Sequence, residues 1–244
     1  MNCVYDCEYC YLQGMYPSGN IVAFLDLDLI FAEVDRLLLE HPVYLCVSFD
    51  TDLLALESLF GFCKQWCSFA ADRPGLTIEI RTKSANFAAL AQLRPSRQVI
   101  LAWTLSPQEF IARYEHHTAP LTARLKSAKQ AMDQGWQVRL CFDPLLFLPG
   151  WERLYSDLTD TAFSILDPKG ILDASLGTFR VSSDYLKRMR KQRPDSVILA
   201  YPFEVENGVC DYGNEASRQM TDFMATKLGG YLPAEKLFIW KGGE

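Results

Sequence analysis

The chain has 244 residues, 49% apolar and 22% charged, with a formal net charge of −6. This apolar content is enough for a sizeable core and excludes a disordered polyelectrolyte, while the acidic balance excludes coating nucleic acid by bulk charge and leaves only a local basic groove for a polyanion. No apolar run approaches the ~18 residues that span a bilayer, and no secretory leader pattern opens the chain, so the expected location is the cytoplasm. There, eight cysteines point to metal ligation or buried thiols rather than disulfides.

Three of those cysteines crowd the first ten residues, and regular structure is expected after them. Residues 27–40 carry Leu27, Ile30, Phe31, Val34, Leu37 and Leu38 at helical spacing, with Asp26 as candidate N-cap and His41-Pro42 as terminator. Residues 43–49 suit a buried strand, 53–69 a helix and 76–81 a second strand. The alternation repeats as a short helix at 86–92, a strand at 98–104, a helix at 121–134 closed by Gly135, and a strand at 137–142. It continues less regularly through 156–163, 178–181 and 184–191. Residues 201–212 read as a loop or hairpin, followed by a helix at 215–228 and a short strand at 237–240.

Strands alternating with helices imply a parallel α/β sheet, because each parallel connection needs a crossover. About five or six such units fall short of the eight in a closed barrel, so the expected fold is an open, partial β/α barrel with functional groups at the strands' C-terminal ends. Residues 1–194 are expected to form this core, with a cluster loop at 3–13, and residues 195–244 a C-terminal extension packed on it.

Cys3, Cys7 and Cys10 stand as C-x3-C-x2-C. Thiolates this close on one loop can take three corners of an iron–sulfur cube. Electron-transfer clusters commonly use four cysteines, whereas a triad leaves one iron open for a ligand, as a catalytic zinc site keeps one position open. A zinc site completed by Cys46 or a histidine is the competing assignment, although structural zinc usually takes paired C-x2-C units.

With Tyr9 just before the third cysteine, the loop resembles that of the radical S-adenosylmethionine superfamily. The resemblance implies a [4Fe-4S] cluster whose open iron binds S-adenosylmethionine, Tyr9 near the adenine, and cleavage to a 5′-deoxyadenosyl radical driven by an external electron donor. More closely, residues 3–13, 51–57, 81–84, 114–121 and 149–152 resemble, in order, segments of the spore photoproduct lyase family. That family splits a thymine dimer in DNA. Carried over, Lys83, Ser48, Asp50 and Thr104 lie at strand ends around the cofactor, Tyr11 matches a tyrosine that relays a hydrogen atom, and Glu115 and Asp143 line the cavity or serve as salt-bridge and turn residues.

Three departures stand out. Met1 lies two residues before Cys3, so the first barrel strand is expected to be missing from this chain, the start being misassigned or the sequence a fragment. The family's hydrogen-donating cysteine falls near Phe49, where the nearest thiol is Cys46. The basic-aromatic DNA grip is unrecognisable, residues 200–213 being acidic, and the remaining candidate for phosphate contact is the basic run at 187–193, which a solvated helix face explains as well. Radical chemistry on another substrate and a truncated, non-catalytic metal-binding scaffold are the alternatives. Cys63 and Cys67 suit core packing better than metal.

Overall fold

The computed structural model describes residues 1–240. A short strand β1 (Asp6–Cys7), with Cys3 before it and Cys10 after it, leads into helix α1 (Leu12–Met15), and α2 (Asp28–Leu38) leads into β2 (Val43–Cys46). Helices α3 (Glu57–Phe60) and α4 (Phe62–Ala71) precede β3 (Leu76–Thr82), which is followed by β4 (Val99–Thr104), α5 (Gln108–Tyr114) and β5 (Glu115–His116). Then come α6 (Leu121–Asp133), β6 (Gln137–Leu145), α7 (Trp151–Ile165) and β7 (Ile171–Thr178). The chain ends through β8 (Arg180–Ser182), α8 (Ser183–Gln192), β9 (Glu204–Glu206), β10 (Val209–Asp211), α9 (Asn214–Gly229) and β11 (Leu237–Ile239).

Six strands form one open parallel sheet in the order β11-β7-β6-β4-β3-β2. This is the partial β/α barrel expected from the alternation. Because successive side chains leave a strand on opposite faces, each strand divides its residues between two environments. Ile78, Ile80, Leu101, Trp103, Val138, Leu140 and Phe142 are buried in the core beneath the helices, each such side chain contributing roughly 1.5–3 kcal/mol of transfer free energy. The other face is polar. Arg139 donates to Asp173 at 2.5 and 2.8 Å, to Glu79 at 2.5 Å and to the Tyr44 hydroxyl at 2.7 Å, and Arg81 Nε reaches Glu79 at 3.0 Å. Pairing of this kind is what makes charges tolerable inside a fold.

The helix expected at 53–69 is broken at Gly61, whose φ of +67° belongs to the left-handed region. Glu57 turns that break into a cap, accepting from the N–H groups of Cys63 at 2.6 Å and Lys64 at 3.1 Å. Residues 201–212 resolve as the β9–β10 hairpin, turning through Asn207 and Gly208 at φ +49° and +80°. β10 also pairs with β8, giving a three-stranded sheet at the C-terminal end of β7. Helix α8 leaves this small sheet and packs on α1 so closely that a Cβ on Gly14 would lie 2.4 Å from the Tyr185 Cβ.

Candidate active site

The cysteine loop is tied down by backbone pairing. β1 pairs antiparallel with β5, placing Cys7 opposite Glu115 and Asp6 opposite His116. Within the loop, Cys10 N–H donates to the Cys7 carbonyl at 3.0 Å and Gln13 N–H to the Cys10 carbonyl at 3.1 Å, while Gln13 Nε2 also reaches the Cys7 carbonyl at 2.5 Å. Cys7 is buried; Cys3 and Cys10 are half-buried. Burial pushes the Cys3 thiol up to about 11 and raises Cys7 and Cys10 as well. Cys3 feels the charge of Cys10, Cys7 feels both partners, and the Lys83 ammonium opposes the rise at all three.

Among the described residues, no group of three or more His, Cys, Asp or Glu side chains is placed to hold one metal ion. The donor set on this loop is three thiols, the ligand type of iron–sulfur clusters. The chemistry of the donors fits too, since bound metal keeps thiolates deprotonated where burial alone would protonate them.

Tyr9 is buried beside the thiols and donates its hydroxyl to Glu115 Oε1. Arg124 meets the other carboxylate oxygen at 2.5 Å, with neither side chain of that pair exposed. The remaining guanidinium donors go to the carbonyl of Ala119 at 2.8 Å, the carbonyl of Thr104 at 3.0 Å and Thr118 Oγ1 at 2.7 Å. Burial alone would raise the Glu115 carboxyl, but Arg124, Lys83 and Tyr9 outweigh it and hold the group below the ordinary carboxylate value. Thr104 is buried at the end of β4, its carbonyl engaged by Arg124.

Lys83 follows the last residue of β3, with Nζ 5.5 Å from the centre of the Tyr9 ring. Burial would lower its pKa; Cys7, Glu115 and Cys10 reverse that and keep it above the usual lysine value. Asp52 positions this strand end and was not singled out by sequence reasoning. It accepts from Thr82 Oγ1 at 2.7 Å, Lys83 N–H at 2.7 Å and Ala55 N–H at 3.0 Å. The last bond is a helix-entry pattern, an Asp three residues before the bonded amide, and was the available signal. Ser48 Oγ accepts the Arg81 N–H at 2.6 Å, and Asp50 Oδ2 accepts from the Tyr16 hydroxyl at 2.7 Å.

Tyr11 donates to the Phe49 carbonyl at 2.5 Å, and their rings lie 5.9 Å apart. Burial raises the Tyr11 pKa first, and the charges of Cys10, Asp50 and Cys46 add to it. Phe49 itself is 65% exposed. Cys46 is half-buried on the polar face of β2. Farther along this face, Asp143 binds Arg180 at 3.2 Å and lies 3.8 Å from Arg81, so both Glu115 and Asp143 are salt-bridged.

Most of the basic run is engaged within the molecule. Arg188 donates to the Gly14 carbonyl at 2.9 Å, Arg190 to the carbonyls of Leu199 at 2.7 Å and Tyr201 at 2.8 Å, and Arg193 to Gln13 Oε1 at 2.8 Å and to Asp6. Cys63 and Cys67 are buried in the core on α4. His116 lies 3.3 Å from Glu8 on the outer side of β5.

The spore photoproduct lyase family model matches residues 1–192. The chain belongs to the spore photoproduct lyase family. A spore photoproduct lyase of Clostridium acetobutylicum is 22% identical over 173 residues, which is 68% of this chain and 51% of that protein. One from a Geobacillus species is 22% identical over 160 residues, 64% of this chain and 47% of that protein. The chain thus spans about half the length of these curated relatives. A solved spore photoproduct lyase mutant with bound AdoMet and dinucleoside spore photoproduct gives a TM-score of 0.87 at 18% identity, covering 98% of this chain and 74% of its own. A spore photoproduct lyase complexed with dinucleoside spore photoproduct gives 0.85 over the same share of each chain. At that identity the structural likeness establishes a shared fold, and membership rests on the family match.

Proposed function

We propose that the chain is a radical S-adenosylmethionine lyase acting on a thymine photoproduct of DNA. In this reading Cys3, Cys7 and Cys10 would hold a [4Fe-4S] cluster, with S-adenosylmethionine bound beside it. The observation that carries the reading is the placing of the cysteine loop beside the C-terminal end of β3, with Lys83 Nζ 5.5 Å from the ring of Tyr9 within the C-x3-C-x2-C loop, the end at which barrel folds place their chemistry. When bound, the two groups supply one-electron cleavage of the sulfonium to a 5′-deoxyadenosyl radical.

The chain's own residues bind and orient. Lys83 pairs with the cofactor's carboxylate, and Tyr9, fixed by Glu115, offers a buried wall to the adenine. Asp50 keeps Oδ1 free for the amino group while Oδ2 holds Tyr16. Thr104 and Ser48, both buried, would add hydroxyl groups at the ends of β4 and β2. Cys46 would give the hydrogen atom of its S–H bond to the substrate-centred radical, leaving a thiyl radical, and Tyr11, which feels the Cys46 charge, would return a hydrogen atom from its hydroxyl to that thiyl.

Anaerobic reconstitution followed by dithionite and S-adenosylmethionine tests the common core. Release of 5′-deoxyadenosine that Cys7→Ala abolishes is the expected result. Incubation with photoproduct-containing DNA tests the substrate, with thymine recovery expected and lost in Cys46→Ala. Two observations favour a second reading, radical chemistry on a different substrate: Phe49 stands near the place of the family's donor thiol, and the β9–β10 hairpin exposes Glu204 and Glu206. Cofactor cleavage without thymine formation would select it.

A further inference from the structure

The strongest local concentration of positive charge in this acidic chain lies on the helix that clamps the cysteine loop. From Lys187 to Arg193 there are five cationic side chains, and the only carboxylate on α8 is Asp184. Leu186 and Met189 face the core, leaving Lys187, Arg188, Arg190 and Lys191 exposed; Lys187 forms a 3.3 Å ion pair with Asp184, both side chains 78% exposed and so only weakly coupled. Hydrogen bonds from Arg188 and Arg190 to neutral carbonyls fix those guanidinium groups without cancelling their charge. Such a run is ordinarily a solvated helix face. Its contacts distinguish it here. Arg193 Nε donates to Gln13 Oε1 at 2.8 Å, Gln192 Nε2 to the Gln13 carbonyl at 2.9 Å, and the same Gln13 side chain donates from Nε2 to the Cys7 carbonyl at 2.5 Å. Two hydrogen bonds in series therefore connect Arg193, which caps α8, to the backbone of the central cysteine.

We propose that the basic outer face of α8, centred on Lys187, Arg188 and Lys191, is the docking surface for an acidic one-electron carrier protein. The proposal rests on the cluster assignment above, which needs an electron from outside. One electron leaves the carrier's reduced centre and enters the cluster; no bond or proton is exchanged. Weak electron-transfer encounters bury under about 1,200 Å² in total, a footprint that a helix face and its margins can supply, and opposite charge steers them. A nucleic-acid strand would use the charge of this face but not its hydrogen-bonded path to Cys7.

The test compares the reconstituted wild-type chain with the Lys187→Glu/Lys191→Glu variant, using a reduced flavodoxin as probe. The variant is expected to bind flavodoxin about tenfold more weakly at low salt, to lose the salt dependence of binding, and to show an equally slowed bleaching of the cluster chromophore by flavodoxin. Iron content, reduction by dithionite and affinity for a thymine-containing oligonucleotide should be unchanged. Equal flavodoxin binding by both proteins overturns the proposal, and so does a loss confined to the oligonucleotide. If neither protein assembles a cluster the functional reading fails, while the binding comparison on the same proteins still judges the surface.

Discussion

Replacing Glu115 by Gln keeps the shape of the side chain and an oxygen able to accept from Tyr9 or Arg124, but removes the charge. The guanidinium of Arg124 is then left without a counter-ion in a site where neither side chain is exposed. Removing one partner from such a pair costs about 3–5 kcal/mol, dominated by the uncompensated buried charge. In a chain of this size each kcal/mol moves the unfolding midpoint by roughly 2–4 °C, so a drop of about 6–20 °C is expected. Arg124→Met should cost at least as much, because it also strips donors from the carbonyls of Ala119 and Thr104. Thermal unfolding followed by circular dichroism under anaerobic conditions measures the shift, and an unchanged urea m-value would show that the unfolded state is unaltered. Because β5 sets the register of Cys7, iron bound per chain should fall in parallel. A Glu115→Gln midpoint within about 2 °C of wild type, on the same scale, would refute the assignment of this pair as the anchor of the cysteine loop.

Lys83→Met should weaken S-adenosylmethionine binding by roughly 10- to 150-fold, the worth of a charge-assisted hydrogen bond, at unchanged iron content; equilibrium dialysis reads this, and equal affinity would remove Lys83 from the site. Gly14→Ala places a Cβ 2.4 Å from the Tyr185 Cβ and 2.6 Å from its Cα, so α1 and α8 must separate; about 1–3 kcal/mol of destabilisation and reduced cluster loading are expected. Acid unfolding should depend on Glu79. Burial raises its carboxyl, but Arg81, Tyr44 and Arg139 outweigh burial and leave it below the ordinary value. Its stabilisation is therefore complete above the unfolded carboxylate pKa, about 4.3, and is lost as pH falls through the lower folded value. Wild type should accordingly lose stability across that acid window more steeply than Glu79→Gln, and parallel profiles would contradict the network.

What the sequence disclosed followed from how local each cause was. The strands at 43–46, 76–82, 99–104 and 137–145 were legible because apolar runs bounded by turn residues are a local signal. β7 was missed because Asp173, Ser175 and Gly177 interrupt its apolar residues, and the partner that explains Asp173 is Arg139, on another strand. Helix α5 is short and starts directly after Pro107, which hid it. In the site, the cysteine spacing was visible at once. The roles of Glu115 and Asp52 were not, since their partners Tyr9 and Thr82 are distant in sequence. How the basic run at 187–193 is held was not legible, because the backbone carbonyls that its arginines bond belong to residues 14 and 199–201.

The central claim is that three N-terminal thiolates hold a cube with one iron left open. Mössbauer spectroscopy of the chain reconstituted with iron-57, recorded before and after adding S-adenosylmethionine, tests it most directly. A cuboidal cluster in which a single iron changes its isomer shift on addition is the predicted result. Four irons that ignore the cofactor, or a chain that takes up zinc and no iron, would contradict it.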